Sequence, residues 1–157
     1  MKPPIWAILL SVGLSLTSCF ESSWTKFPLQ RPEATECKDA AEAKHLAQLY
    51  FLQVHGLEVN YIPASFSMSR TFETGDWYVI EWIPYNEAGG YPMIFWKDDS
   101  HQGRILHWAV ARNARGEYIT AGDGPRNQLD DNFLGIAKPV GPDRYIGIVK
   151  HVFSYRR

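Results

Sequence analysis

The side chains that could do chemistry are a serine, a histidine and several carboxylates in separate segments. Ser67 lies in a serine-rich stretch, His107 lies in an apolar run, and Asp123 precedes the pair Asp130-Asp131. A serine hydroxyl becomes nucleophilic when an adjacent base removes its proton, and an acid beside that base fixes its tautomer. Histidine suits the base role because its ordinary pKa lies near neutrality. These residue types predict acyl transfer through a covalent intermediate, if the fold brings them together.

The elements that must position these residues are mostly β-strands. A helix is predicted over 36–55, with Thr35 as its N-cap and Gly56 ending it. The rest of the chain has short runs rich in Val, Ile, Tyr and Trp, separated by Gly, Asn and Pro turns. These runs predict strands over 57–62, 77–83, 92–96, 105–111, 118–120 and 145–153. The expected fold is a mainly β, mostly antiparallel domain with one N-terminal α-helix.

The N-terminus is typical of an export signal. Lys2 precedes an apolar stretch over 5–16, which is too short for a comfortable membrane span of roughly 20 residues. The stretch ends in Leu16-Thr17-Ser18-Cys19, which resembles the lipobox of bacterial lipoproteins. The resemblance implies a signal peptide over 1–18 and lipidation of Cys19.

The predicted lipoprotein precursor divides into three parts. After the signal, 19–34 is predicted to be a tether, and 35–157 is predicted to be the domain. An ordinary secretory signal or an uncleaved anchor is the alternative, and it would leave a Cys19–Cys37 disulfide possible. Every version puts the domain in the cell envelope, facing the periplasm or the exterior. Phe20 after Cys19 favours the outer membrane of a Gram-negative cell.

Composition excludes several classes of protein. The 157 residues suit one domain, and 45% of them are hydrophobic, which is enough for a core. The 16 basic and 17 acidic residues give a net charge of −1, so a nucleic-acid partner is not expected. Two cysteines at these positions give no support to a zinc site, and no metal or cofactor is called for.

Three segments, taken in order, resemble the type I signal peptidase family. The first is the serine box over 65–71, which follows Ile62-Pro63 and precedes Gly75-Asp76. The second is 105–110, which contains the histidine. The third is 120–123, with an aspartate downstream and a closing Ile-Gly-Ile-Val strand over 146–149. The resemblance covers roughly 61–155, and it implies a signal-peptidase-like β domain that cleaves polypeptides.

The resemblance also implies roles for individual residues. Ser67 would be the nucleophile, and Ser65 would help to form the oxyanion hole with the backbone N–H of Ser67. His107 falls where the archaeal and endoplasmic-reticulum branch of the family has its catalytic histidine. Asp131 aligns best with the acidic member, while Asp123 and Asp130 remain alternatives. The predicted function is a membrane-tethered serine endopeptidase with a polypeptide substrate and no cofactor.

The chain departs from the family pattern at several positions, of which Phe66, Arg70 and Gly124-Pro125 favour an alternative, and its stretch from Asp123 to Asp131 is longer than in the family. Phe66 replaces the glycine of the serine box, Arg70 replaces its proline, and Trp108 replaces an arginine. Gly124-Pro125 stands where two asparagines are usual. The alternative is a catalytically inactive lipoprotein that uses the same fold for peptide binding or a structural role. The self-cleaving repressor peptidases, which share the fold, fit poorly because they use a lysine base and work in the cytoplasm.

Overall fold

The computed structural model describes residues 24–63, 67–124 and 138–155, and this part of the chain is mainly β, as predicted. It contains one α-helix, α1, over Ala40–Val54, and a short 3₁₀ turn over Tyr85–Glu87. The strands are β1 Thr25–Lys26, β2 Glu33–Cys37, β3 Glu58–Tyr61, β4 Trp77–Ile80, β5 Pro92–Trp96, β6 Arg104–Arg112, β7 Tyr118–Ala121, β8 Tyr145–Ile148 and β9 His151–Tyr155.

The strands form two sheets. In the first, the order is β1-β6-β5-β8, and β7 also pairs with β6. In the second, the order is β2-β9-β4-β3, and α1 covers one face through the buried residues Ala43 and Ala47. The pairs are antiparallel except for β2 and β9, which run parallel. A bridge between Glu81 and Ile148 joins the sheets.

One apolar cluster lies between the two sheets and determines where the candidate site can form. Tyr78 reaches it from β4, Ile94 from β5 and Trp108 from β6. Met68 and Phe72, from the segment between β3 and β4, are also buried in this cluster. The serine-bearing segment is therefore attached to the core shared by both sheets.

The predicted start of the helix is wrong. Thr35 is not the N-cap, because it lies in β2 and pairs in register with Phe153 of β9. The N-cap is Asp39, whose side chain accepts a hydrogen bond from the backbone N–H of Glu42 at 2.8 Å. Glu42 reaches back to the backbone N–H of Lys38 at 2.7 Å, which gives a variant of the capping box. At 36–37, hydrogen bonding to the distant strand β9 prevailed over the local helical pattern.

The end of the helix also differs in detail. His55, and not Gly56, has the left-handed backbone conformation that ends the helix, with φ of 51°. Gly56 is required for a different reason. A Cβ there would lie 2.5 Å from Val79 Cγ1 and 2.9 Å from a ring carbon of Phe51. The glycine thus permits close packing of the helix end on β4.

Part of the predicted tether is folded. Thr25 and Lys26 pair with the end of β6, and Glu33-Ala34 pair with β9. Residues 19–23 lie outside the described part of the chain. The predicted strand over 145–153 is two strands, β8 and β9, which belong to different sheets.

His151 connects β2 to β9 through its side chain. Its Nε2 lies 2.7 Å from Thr35 Oγ1, and its Nδ1 lies 3.6 Å from Glu33 Oε2. The ring also packs on Tyr50 and Phe153, with centroids 5.0 and 4.7 Å apart. Burial lowers the pKa of His151 below its ordinary value of 6.5, although Glu33 and Glu81 act in the opposite direction.

We expect His151→Phe to flatten the pH dependence of stability. A histidine that folds in the neutral form takes up a proton on unfolding, so its contribution is complete above about pH 6.5 and is lost as the pH falls. Chemical denaturation at pH 7 and pH 5 measures the difference. His45→Phe, on the exposed side of α1, is the control. If wild type and His151→Phe lost the same free energy of unfolding between pH 7 and pH 5, the expectation would be contradicted.

Candidate active site

Ser67 begins a turn whose next residues are anchored in the core. The backbone N–H groups of Thr71 and Phe72 both donate to the carbonyl of Met68, at 3.1 and 2.9 Å. Met68 and Phe72 are almost completely buried, whereas Ser67 is exposed. The turn therefore presents Ser67 at the surface and holds it through buried neighbours.

The loop after β7 brings Ser67 next to His107. The Ser67 carbonyl accepts hydrogen bonds from the backbone N–H groups of Asp123 at 2.7 Å and Gly124 at 3.0 Å. A Cβ on Gly122 would lie 2.2 Å from that carbonyl oxygen and 3.4 Å from His107 Nε2. Only glycine fits here, and its missing side chain lets the serine backbone and the imidazole approach the same point.

His107 is fixed by the first sheet. It lies in the middle of β6, opposite Met93 of β5. Its ring is 8% exposed and packs edge-on against Phe95, with centroids 6.4 Å apart. A largely buried imidazole between strands has little freedom to rotate, which suits a base that must hold one orientation.

Ser67 and His107 line one cleft of about 610 Å³ between the two sheets. This volume lies in the range of ligand-binding pockets. One wall comes from β3 and the residues after it, another from β6, and the floor from the core cluster. The other described lining residues are Asn60, Tyr61, Ile62, Pro63, Met68, Phe72, Tyr78, Ile94, Arg104, Ile105 and Leu106. The sequence motifs include Ile62-Pro63, Met68 and 105–106, whereas the other lining residues come from segments outside those motifs.

The carboxylate of Asp123 binds three donors around the site. Oδ1 accepts from the backbone N–H of Arg70 at 3.0 Å, and Oδ2 accepts from Trp108 Nε1 at 3.0 Å and from the hydroxyl of Thr71. Arg70 and Thr71 belong to the serine turn, and Trp108 directly follows His107. Asp123 thus joins the two segments that carry the candidate nucleophile and base.

Three of the departures from the family pattern take part in this arrangement. Arg70 supplies a backbone N–H that a proline at the same position would lack. Trp108 supplies the indole N–H to Asp123. Gly124 supplies a backbone N–H to the Ser67 carbonyl. Each of these three residues thus contributes a hydrogen bond to the contacts around Ser67 and Asp123.

Among the predicted site residues, Ser67 and His107 line the same cleft, and Asp123 lies beside them. Ser65, Asp130, Asp131 and Cys19 lie outside the described residues, as does Phe66. Asp123 was one of three aspartates that the sequence offered as the acid, with Asp131 the best aligned. The sequence pattern did not distinguish it and missed the three-donor contact, because a positioning role depends on donors that are distant in sequence.

A second cleft of about 710 Å³ adjoins the first. The two clefts share Tyr61, Ile62 and Pro63, and the second continues past Trp77 and Tyr155. The rings of Tyr61 and Trp77 lie 5.6 Å apart, and Lys44 Nζ lies 5.5 Å from the centre of the Trp77 ring. The segment after β3 therefore forms a ridge between two adjacent depressions.

No protein-family model, curated protein or solved structure matches this chain. Within the described residues, no helix is long and apolar enough to cross a membrane. The same part of the chain contains no group of three His, Cys, Asp or Glu side chains arranged to hold a metal ion. The function must therefore be argued from the geometry of the cleft.

We expect Trp108→Phe and Asp123→Ala to be energetically coupled. Trp108→Phe removes a hydrogen bond to a carboxylate, which contributes about 1.5–3 kcal/mol to the free energy of unfolding. Asp123→Ala removes the same bond and two others, so the double variant should lose less stability than the two single variants combined. Urea denaturation of the four proteins measures this coupling.

Trp77→Phe is the matched control for the loss of an indole. Trp77 is a half-buried tryptophan of the other sheet, and its effect should add to that of Asp123→Ala. Additivity of Trp108→Phe and Asp123→Ala within about 0.5 kcal/mol would contradict the proposed link.

Proposed function

We propose that this protein is a lipid-anchored serine endopeptidase similar to type I signal peptidases. The observation that carries the proposal is the convergence of Ser67 and His107 on Gly122 at one cleft. Acyl transfer requires a serine hydroxyl within hydrogen-bond reach of its base. The approach of the Ser67 backbone and His107 Nε2 to the same glycine supports that arrangement.

The reaction follows the ordinary chemistry of an activated serine. Ser67 Oγ attacks the peptide carbonyl carbon while its proton passes to His107. The C–N bond then breaks, the imidazolium gives that proton to the leaving amine, and an ester with Ser67 remains. Water, deprotonated by His107, hydrolyses the ester and regenerates the serine. The backbone N–H of Ser67, with Ser65, would stabilise the oxyanion.

The acid that supports His107 is proposed to be Asp131. The Asp123 carboxylate already accepts hydrogen bonds from Arg70, Thr71 and Trp108. It therefore acts as a positioning residue in this scheme, and it holds the serine turn against β6.

An extended polypeptide is the substrate that the cleft walls favour. β3 is the last strand of its sheet among the described residues, so one of its edges has no partner there. In β6, Arg104–His107 pair with β5, whereas pairing with β7 begins only at Trp108. Among the described residues, the Arg104–Leu106 edge therefore has no strand partner on the side opposite β5. Strand edges on both sides of a cleft can bind a peptide as an added strand.

The proposed lipid at Cys19 would keep the site close to a membrane. The chain from Cys19 to Trp24, where the described structure begins, spans at most about 18 Å when fully extended. Thr25 pairs with Arg112 at the end of β6. His107 lies about 17 Å from Arg112 along the same strand. Membrane-bound or newly exported chains would therefore be within reach.

A non-catalytic peptide-binding lipoprotein is the second candidate. The two strand edges and the apolar floor would hold a peptide whether or not Ser67 reacts. The hydrogen bonds of Arg70 and Trp108 to Asp123 hold the serine turn beside β6 in either case. Covalent reactivity of Ser67 separates the two functions.

We expect a small serine-reactive acylating probe to label the full-length chain in detergent at Ser67. His107→Ala should reduce the labelling rate by at least about 100-fold, because the loss of a general base typically costs that much. Ser67→Ala should abolish labelling, whereas Ser69→Ala, in the same exposed turn, should retain it. Intact-protein and peptide mass spectrometry locate the adduct.

A folded wild-type protein that is not labelled would argue for the non-catalytic alternative. Labelling that persists in His107→Ala would exclude His107 as the base. Circular dichroism and thermal unfolding of each variant show whether it is folded.

We expect Cys19 to carry the lipid. Expression with an alkyne-tagged fatty acid in a bacterial host should label the wild-type chain, and Cys19→Ser should abolish the label. Cys37→Ser is the matched control, since Cys37 is a buried thiol inside the domain. Label retained in Cys19→Ser, or lost in Cys37→Ser, would contradict the assignment.

A further inference from the structure

We propose that the cleft beside Ser67 and His107 selects peptides that carry a bulky apolar side chain, such as leucine or phenylalanine, over those that carry alanine. This inference rests on the proposed function, because it names the substrate class of the same site. It depends on the composition, depth and charge of the cleft.

The floor of the cleft is part of the hydrophobic core. Ile62, Met68, Phe72, Tyr78 and Ile94 all line the cleft, and all five belong to the cluster buried between the sheets. A substrate side chain that enters the cleft would therefore contact core residues and leave water. The gain is about 25 cal/mol for each Å² of apolar surface that is buried, so a larger apolar side chain gains more.

The wall of the cleft that β6 supplies is also apolar. Leu106 is half-buried, lines the cleft and packs against the same core cluster. Ile105 lines the cleft beside it. No alanine or glycine occurs among the described lining residues, and the volume of about 610 Å³ exceeds what an alanine methyl group fills. A small side chain would leave much of this apolar surface in contact with water.

The charges near the cleft do not select a charged side chain. Arg104 is the one Lys or Arg residue among the described lining residues, and it forms an ion pair with Glu58. Its charge is therefore compensated by a neighbour on β3. Asn60, Ser67 and His107 supply the polar groups, which suit the peptide backbone. Selection is thus expected to come from apolar contact.

The peptide would run between β3 and the Arg104–Leu106 part of β6, where β7 does not pair with β6 among the described residues. Alternate side chains of an extended peptide point in opposite directions, so one of them points to the floor while its neighbours do not. That one position would carry the preference.

The test measures binding, so that it does not require catalysis. The full-length Ser67→Ala chain in detergent is titrated into fluorescein-labelled peptides of one polar host sequence, which contain a single Ala, Val, Leu or Phe. Fluorescence anisotropy gives the dissociation constants. We expect Leu and Phe peptides to bind at least about 10-fold more tightly than the Ala peptide, which corresponds to one or more buried methylene groups.

Three variants in the Ser67→Ala background, two at Leu106 and one control at Val110, show whether the peptide side chain contacts Leu106. Leu106→Phe partly fills the cleft and should reduce the advantage of the Leu peptide over the Ala peptide by at least about 3-fold. Val110→Phe is the control, because Val110 lies on the same strand and packs on the same cluster outside the cleft lining. Leu106→Ala, which enlarges the cleft, should favour Phe over Leu, and thermal unfolding identifies any variant that does not fold.

Equal affinity for all four peptides, or tighter binding of the Ala peptide, would overturn the inference. A Leu preference that survives Leu106→Phe and Leu106→Ala unchanged in folded protein would also overturn it. These results are separate from Ser67 labelling. If Ser67 is labelled but the peptides bind equally, the protein is a peptidase without this substrate preference. If Leu and Phe peptides bind more tightly but Ser67 is not labelled, the protein is a selective peptide-binding protein.

Discussion

The candidate site depends on the hydrogen bonds that the carboxylate of Asp123 accepts. This carboxylate accepts them from Arg70, Thr71 and Trp108, which come from the serine turn and from the strand of His107. A charged acceptor with several donors is stronger than a neutral pair, and a donor left without a partner in a buried place is costly. One side chain therefore couples the serine turn to the strand that carries His107, although the two segments lie far apart in the sequence.

The glycine before Asp123 makes the same approach possible from the backbone. At Gly122 there is no room for a Cβ, because the Ser67 carbonyl occupies that place. The serine turn thus hydrogen-bonds to the loop after β7 through its own backbone. Met68 and Phe72 secure it from below. An exposed hydroxyl held by buried neighbours combines accessibility with a fixed position, which a reactive serine needs.

The architecture also links the first described strand to the cleft. β1 begins near the start of the described chain and pairs with the end of β6, and the other half of β6 carries His107. Under the proposed lipidation, the anchor and the base are separated by a short tether and one strand. The apolar floor of the cleft is continuous with the core, so binding of a substrate side chain would extend the same packing that stabilises the domain.

Sequence alone determined the fold class and the positions of most elements. Alternation of Val, Ile, Tyr and Trp between turn residues predicted the central strands, including β5 at its observed bounds, and helical spacing predicted α1. These are local properties, and local chemistry decides them. The sequence also predicted Ser67 and His107 as a pair, and the structure brings both to one cleft. Their chemistry stays a prediction.

The strand partners and the contacts of Asp123 depend on segments that are distant in the sequence. The segment around Thr35 is a strand because β9 supplies its hydrogen bonds, and β9 lies more than a hundred residues away. The 145–153 run divides between two sheets for the same reason. Asp123 could not be distinguished from other aspartates until its three donors were adjacent in space. Pairing partners and carboxylate contacts depend on distant segments, and no local pattern encodes them.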